Sequence, residues 1–331
     1  MKKNVALFLM LFLAAGLAAR ERRRGWFIEG SLAFSQLAPG DLNARLEAQQ
    51  ERTDFLYKEY YEEQRRTSGG MFTYTLEEPD GSGLQGLRRG LPVDLRVGRS
   101  LSPRVAVFAG LQFLGRRKTS WLRQTYRVSD LRPDQVTPGS FVAEVAYPEC
   151  FLAVRAWIPQ LGATIDVFRS RRWTAGLRLA AGPMFASLRT VEAQWSKRTE
   201  ADGYWTETHY AYDMKGKGVG VALEAAARLA LPLSARLGLY IEGGYALRTG
   251  SRFSGPGAYE SQYRDANAAW DPVRIQWPEG EWRTRRMELH QPWGDLAYTL
   301  SGNDLGGYED AGKFRLDLSG WQAAVGLALA L

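Results

Sequence analysis

The sequence predicts an all-β fold, an antiparallel up-and-down transmembrane β-barrel of about eight strands, with long extracellular loops that carry one short helix and one hairpin. Three observations predict this fold. The stretch 321–331 alternates strictly between apolar and small or polar residues, as a strand with one apolar face does. Short turns alternate with long connections along the chain. The N-terminal residues have the composition of an export signal.

The N-terminus predicts secretion across a membrane. Lys2 and Lys3 precede an apolar run over residues 5–15, and small residues follow as far as Ala19. This order is typical of a secretory signal peptide, and the run is shorter than the roughly 20 residues of a membrane-spanning helix. We therefore expect a signal peptide over residues 1–19 and a single barrel domain over residues 20–331, with a membrane anchor as the alternative.

Composition limits the classes of function. Mean hydropathy is −0.32, which is compatible with a barrel because polar residues of the lumen alternate with lipid-facing ones. The single cysteine, Cys150, excludes an intramolecular disulfide and a cysteine-based zinc site. The net charge of +7 includes the basic residues of the first 24 positions, and elsewhere acids and bases are interspersed. We therefore expect no nucleic-acid partner.

Alternating apolar residues mark the expected strands. Two of them are irregular: the fourth changes phase at Pro159, which we interpret as a β-bulge, and the sixth has an alanine-rich stretch with helical propensity. Alternation and a following turn favour a strand there. The eight segments are 26–35, 91–97, 105–113, 154–167, 173–181, 219–231, 237–248 and 321–331.

The connections between these segments fall into two groups. Turns of about four residues join the second segment to the third, the fourth to the fifth, and the sixth to the seventh. The long connections are about residues 38–90, 126–140, 196–217 and 254–311. Short turns on one side and long loops on the other are typical of membrane barrels, with both termini on the short-turn side. A soluble β-sandwich is the rival, but apolar stripes of about nine to eleven residues match the length that spans a bilayer.

The last strand carries a family resemblance. Residues 326–331, Gly-Leu-Ala-Leu-Ala-Leu, resemble the C-terminal signal that the barrel-insertion machinery reads, although the chain ends in Leu331 instead of an aromatic residue. The chain resembles bacterial outer-membrane eight-stranded β-barrels of the OmpA membrane-domain and OmpW-like type. The resemblance implies a place in the cell outer membrane of a Gram-negative bacterium. The partners it implies are outer-membrane lipid, lipopolysaccharide and the insertion machinery, and it also implies a possible small-channel activity.

Charged residues are expected inside the barrel. An eight-stranded barrel has an interior that side chains about fill, so charges there must be paired. One interpretation is a static ion-pair network that fixes the strand register. The other is a gate whose pairs exchange to open a small pore. The expected network consists of Glu29, Asp94, Arg96, Arg178, Glu224, Arg228 and Glu242.

The long loops are the candidate recognition surface. Residues 42–64 have helical spacing, with Asp41 as the N-cap and Gly69-Gly70 as the terminator. Residues 273–285 are expected to form a hairpin that pairs two tryptophans across its strands. Clustered aromatic residues either pack the loops together or bind a ligand. The tryptophans in question are Trp270, Trp277, Trp282 and Trp293.

Catalytic and cofactor motifs are weak. His209 and His290 are the histidines of the sequence, and neither lies in a hydrolase signature. Asn303-Asp304 with Glu309-Asp310 does not match a calcium loop. We therefore expect no cofactor, no metal and no catalytic residue. The expected role is non-enzymatic, structural or in surface interaction; passage of small solutes is the alternative, and an outer-membrane hydrolase is a second one.

The last strand contains an apparent change of phase. Phe314, Leu316 and Leu318 alternate on the opposite phase to Trp321. If all of these side chains faced lipid, a slip would be needed. We therefore expect a bulge or a glycine kink at Ser319-Gly320.

Overall fold

The computed structural model describes residues 25–37, 40, 43, 61–77, 80–130, 139–170, 172–287, 296–300 and 308–331. The expected signal peptide lies outside these residues, as do Trp293, His290 and most of the expected helix 42–64. In the part of the chain that is described, no helix is long and apolar enough to cross a membrane.

Long antiparallel strands dominate the described chain. A short helix, α1 (Tyr61–Thr67), precedes Gly69 and Gly70, which adopt φ angles of +62° and +91° and end the helix as expected. The strands are β1 (Trp26–Gln36), β2 (Phe72–Leu76), β3 (Asp80–Gly81), β4 (Arg89–Gly90), β5 (Val93–Ser100), β6 (Val105–Asp130), β7 (Gly139–Arg169), β8 (Thr174–Glu200), β9 (Trp205–Pro232), β10 (Leu237–Asp265), β11 (Val273–Met287), β12 (Leu296–Leu300), β13 (Tyr308–Lys313), β14 (Arg315–Asp317) and β15 (Gly320–Ala330).

The strands close into a barrel. Pairing runs β1–β5–β6–β7–β8–β9–β10–β15 and returns to β1, so the ring passes through eight strands, all antiparallel to their neighbours. The last strand closes it, with Phe27 opposite Ala330 and Ser35 opposite Gln322. Closure leaves these eight strands without a free edge along the paired length. The all-β barrel is therefore confirmed, including the alanine-rich β9 as a strand.

The strands are much longer than the sequence indicated. β6 to β10 contain 26, 31, 27, 28 and 29 residues. The described residues of the expected loop 126–140 are all strand, as are most residues of the expected loop 196–217, so the predicted extent of both loops is wrong. In these extensions the outward residues carry charges, as in the cross-strand pairs Arg123–Glu144 and Arg189–Asp213. An outer face without an apolar stripe gives no sequence signal for a strand.

The hairpin expected over residues 273–285 is also wrong. β11 is one continuous strand that pairs with β10 along its first part and with β12 and β13 along its second. The register against β10 shifts between Gly255 and Gly257, where Pro278 and Glu279 oppose a single residue. The Pro-Glu-Gly sequence is thus accommodated as a β-bulge and not as a turn.

The proline bulge lies elsewhere than expected. β7 keeps one register with β6 and β8 through Pro159, so no bulge exists there. Val154, Ala156 and Ile158, which we expected on the outer face, are 0–1% exposed and point inward. The extra residue of β7 instead falls at Tyr147-Pro148, where the registers with both neighbours shift.

The expected slip in the last strand is absent as well. The register against β10 is the same for β14 and β15, and only the strand itself is interrupted at Leu318 and Ser319. Phe314, Leu316 and Leu318 are fully buried, whereas Trp321 is 67% exposed. The alternation is continuous because these apolar side chains fill the barrel interior while the tryptophan faces outward.

The outer surface carries an apolar belt near the end where the short turns lie. Large apolar side chains of the belt are exposed on the ring strands, among them Leu32, Leu161, Leu179 and Val221. Aromatic pairs mark its two edges. Phe168 stacks on Trp173 at the turn end, with ring centroids 4.5 Å apart, and Phe113 contacts Trp157 at the far edge, at 4.6 Å.

Candidate functional site

The predicted charged residues meet inside the barrel. All of them are nearly inaccessible to solvent, from 1% exposed for Arg96 to 5% for Glu29 and Glu242, except Arg228, whose side chain is 9% exposed. They reach one another because alternate residues of each strand point inward. Their cross-strand neighbours confirm the placement, since Glu29 lies opposite Arg96 and Glu242 lies opposite Arg228.

Arg96 lies at the centre of the network. Its guanidinium donates to Asp94 Oδ2 at 2.6 and 2.8 Å and to the two oxygens of Glu242 at 3.0 and 3.1 Å. A third carboxylate, Glu29, lies 3.4 Å away. The three carboxylates accept hydrogen bonds from donors in the plane of one guanidinium, and they share its single positive charge.

Two more arginines link the same carboxylates. Arg228 holds both oxygens of Glu29, at 2.5 and 2.8 Å, and its guanidinium lies 4.1 Å from the centroid of the Tyr240 ring. Arg178 bridges Glu242 at 3.0 Å and Glu224 at 3.1 Å. Each acid therefore has at least one arginine, and the residues form one connected network.

The alternation also predicted Arg155 and Arg248 inside the barrel, further from the turns than the other charges, and in the structure only Arg248 joins the network. Arg248 is fully buried and donates to Glu224 Oε1 at 2.6 Å and to Gln322 Oε1 at 2.7 Å, while Gln160 donates to Asp94 at 3.2 Å. With Arg248 the network has four carboxylates and four guanidiniums, so its formal charge is zero. The sequence signal for this placement is the alternation along β10, which puts Arg248 on the same face as Glu242. Arg155, by contrast, is exposed and points outward.

An apolar layer lies beyond the network, on the side away from the turns. Its side chains come from the barrel wall and from segments that fold into the barrel, such as Leu84, Leu87 and Phe314. Phe253 contacts Phe314 edge-on, with ring centroids 5.6 Å apart, and both are fully buried. Other members are Leu114, Leu122, Leu152, Val154, Ile158, Met184, Leu188, Met214, Leu316 and Leu318. The interior is thus filled at two successive levels, one charged and one apolar.

Above this apolar layer lies the inner face of the extended strands, which we call the mouth. Tyr210 and Tyr212 share the inner face of β9 with the buried Met214, and Tyr259 faces them from β10. The ring of Tyr259 lies 4.7 Å from that of Tyr212 and 6.4 Å from that of Tyr210. On β8, alternation continues the inner face from buried Thr190 and Glu192 to Gln194, Ser196 and Arg198. The mouth therefore combines aromatic rings with hydrogen-bonding groups.

The predicted loop tryptophans remain separate from this arrangement. Trp270 is 61% exposed just beyond the end of β10. Trp277 and Trp282 are strand residues of β11, paired in the backbone with Gly257 and Leu300 respectively, and their side chains lie outside the described part, as does Trp293. Their expected role in recognition stays a prediction.

His209 has a defined partner on the outer wall. Its Nε2 contacts Glu207 Oε1, which also accepts a hydrogen bond of 2.8 Å from the Trp195 indole. Burial would raise the pKa of Glu207, but the hydrogen bonds from His209 and Trp195 outweigh it and hold the pKa below its usual value. The hydroxyl-bearing neighbours Ser196 and Thr208 alternate onto the opposite face. Among the described residues no cluster has the three or more ligating side chains of a metal site.

Comparisons with known proteins give little more. No protein-family model matches the sequence, and no curated protein sequence matches it either. The solved structure of the outer membrane protease OmpT from Escherichia coli aligns with 93% of this chain and 97% of its own chain, at 9% sequence identity and a TM-score of 0.30.

Proposed function

We propose that this chain is a non-conducting outer-membrane barrel that binds an extracellular ligand in the mouth of its extended strands. The observation that carries the proposal is the filled interior, with a charge-neutral network below an apolar layer. An interior filled in this way supports a sealed barrel rather than a pore. Its role is then in surface interaction, without catalysis.

The apolar belt supports the membrane location. The outward apolar residues run from Trp173, just before β8, to Phe185, about 12 residues, which at about 3.3 Å per residue and a tilt of roughly 40° gives a height of about 30 Å. That height matches the hydrocarbon core of a bilayer. Aromatic residues at both edges are typical of the two membrane interfaces. The long extensions beyond the far edge then stand on the outside of the cell.

The mouth supports binding. Tyrosines that combine a flat apolar ring with a hydroxyl are common in recognition surfaces, because they give contact area at a low cost in conformational entropy. A concave surface with aromatic rings and a few hydrogen-bonding groups is typical of ligand sites. Tyr210, Tyr212 and Tyr259 are the residues we expect to contact the ligand.

Conductance separates the sealed barrel from the channel alternative. Purified protein in planar bilayers should show no ohmic steps, and neither should Arg178→Ala, because the apolar layer still closes the path. Steady steps in the unaltered protein would contradict the proposal. Steps in Arg178→Ala alone would show that the ion pairs, and not the apolar layer, form the seal.

Ligand binding tests the mouth. Fluorescently labelled protein in detergent is applied to arrays of oligosaccharides and of short peptides. Spots bound by the unaltered protein should lose their signal with the double variant Tyr210→Ala/Tyr259→Ala and keep it with Trp121→Ala, which removes an exposed ring outside the mouth. Equal binding by all three proteins would contradict the assignment. Hydrolysis of an arrayed peptide that is lost in His209→Ala would instead support the hydrolase alternative.

A further inference from the structure

A cluster of cations lies on the outer wall immediately beyond the far edge of the belt. We call it the basic patch, and it consists of Arg117, Arg155, Arg189, Lys215 and Lys217. All five side chains are exposed, and they come from four adjacent strands, β6 to β9. The network inside the barrel does not involve any of them.

Strand register places the basic patch in two rows above a row of aromatic residues. The row at the edge of the belt is Phe113, Trp157 and Phe185, each opposite the next. One row further out, Ser187 lies between Arg155 and Lys217. The row beyond that places Arg189 directly opposite Lys215. Successive rows are about 7 Å apart along a strand, so the cations lie at the level of lipid headgroups.

The acids nearby balance only part of this charge. Asp213 holds Arg189 through hydrogen bonds of 2.9 and 3.1 Å, and Glu149 also acts on Arg189 electrostatically. Arg117, Arg155 and Lys217 form no ion pair within the described residues. A cluster of five cations with two neighbouring acids favours a ligand with more than one negative charge.

A groove in the belt lies below the basic patch on the same side of the barrel. It has a volume of about 720 Å³ and runs across β7 to β10, where small side chains leave space between large ones. Ala163, Ala181 and Ala225 form its floor, and Leu161, Leu223 and Leu247 are among its walls. Its nearest row lies about six residues below Arg155, or about 15 Å deeper in the membrane. Such a groove fits an acyl chain.

We propose that the basic patch and the groove together form a binding site for one phosphate-bearing, multiply acylated lipid of the outer leaflet. Arg155 and Lys217 hold its phosphates, and an acyl chain passes between Trp157 and Phe185 into the groove. A free phosphate ion would use the cations alone, whereas the groove below them favours a lipid. The site rests on the outer-membrane location proposed above, but it is independent of the mouth and of conductance.

Native mass spectrometry of the protein in detergent micelles tests the site. The probes are a bis-phosphorylated, hexa-acylated lipid A, the same lipid without phosphates, and inorganic phosphate as a competitor. The double variant Arg155→Gln/Lys217→Gln should bind the phosphorylated lipid at least about tenfold more weakly than the unaltered protein. The matched control Lys197→Gln/Arg264→Gln removes two outward cations far from the belt and should bind as the unaltered protein does. Filling the groove with Ala225→Trp should also weaken binding.

Several outcomes would overturn the proposal. They are equal binding by the patch variant and the control, equal binding of the lipid without phosphates, or full displacement of the lipid by inorganic phosphate at the lipid's own concentration. Heat-dependent migration in gels shows that each variant is folded. If lipid binding fails these tests while the protein is still found in the membrane and does not conduct, the lipid site is wrong and the proposed function still stands.

Discussion

At the scale of single residues, burial separates two kinds of ion pair. Arg96, 1% exposed, contacts three carboxylates that are themselves only 2–5% exposed. Arg189 and Asp213, with side chains 47% and 36% exposed, are solvated whether or not they pair. Similar distances in the two places therefore correspond to very different energies.

Substitution of Arg96 measures this difference. Arg96→Ala should lower the free energy of unfolding by about 3–5 kcal/mol, because Asp94 loses its ion-pair partner and four buried carboxylates are left with three arginines. Arg189→Ala should cost less than about 1 kcal/mol. Urea titration of both variants refolded in detergent, followed by tryptophan fluorescence, gives the comparison. Equal losses would show that the network contributes no more than a surface pair.

The Glu207 carboxylate predicts a local pH dependence. Because its pKa is lowered in the folded state, its contacts with His209 and Trp195 contribute stability at and above the usual glutamate range. That contribution is lost as pH falls through the lowered pKa. In carbon-13 NMR the carboxylate should titrate below the usual glutamate value, and His209→Ala should move the inflection upward. An inflection that stays in place would mean that the histidine contact has no effect.

At the scale of elements, bulges decide which side chains reach the interior. The register of β10 against β9 shifts between Ser251 and Ser254, and Arg252 there has a φ of +64°. The extra residue turns Phe253 inward, where it packs against Phe314. It also marks the point at which β10 passes from pairing with β14 to pairing with β11. The bulge, with one residue in a left-handed conformation, therefore lies where β10 passes from the belt into the mouth.

The bulge predicts opposite effects of two substitutions. Arg252→Gly should leave stability unchanged or raise it, because glycine adopts a positive φ without strain. Arg252→Val should lower stability by about 1–2 kcal/mol, since a β-branched residue is strained there. Unfolding midpoints in urea give both values. A valine variant as stable as the glycine variant would show that the bulge is not retained.

At the scale of the whole molecule, the barrel has two parts with different surroundings. Near the turns the outward residues are apolar and the inward ones are charged, whereas beyond the belt many outward residues are charged. A reversal of this kind is expected of a barrel that lies partly in a bilayer, because lipid excludes charge and water does not. The apolar layer lies at the transition and separates the network from the mouth.

Spin labels test the two surroundings. With Cys150→Ser as the background, nitroxides are attached at Val221→Cys in the belt and at Ala211→Cys in the extension, both exposed on β9. In vesicles, the first label should collide mainly with dissolved oxygen and the second with a water-soluble nickel complex. Equal access of the nickel complex to both labels would indicate a barrel that is not in the bilayer.

The sequence by itself determined which residues share a face, because alternation is a local property of an extended chain. It therefore placed Glu29, Arg96, Arg178 and Glu242 on a common inner surface. It did not determine which face an apolar residue takes, since Ile158 inside the barrel and Leu161 on the belt look alike in a pattern. Only ring closure decided that, because the interior must be filled with side chains. The structure also extends the strands past the belt, where backbone pairing continues although the outward residues no longer form an apolar stripe.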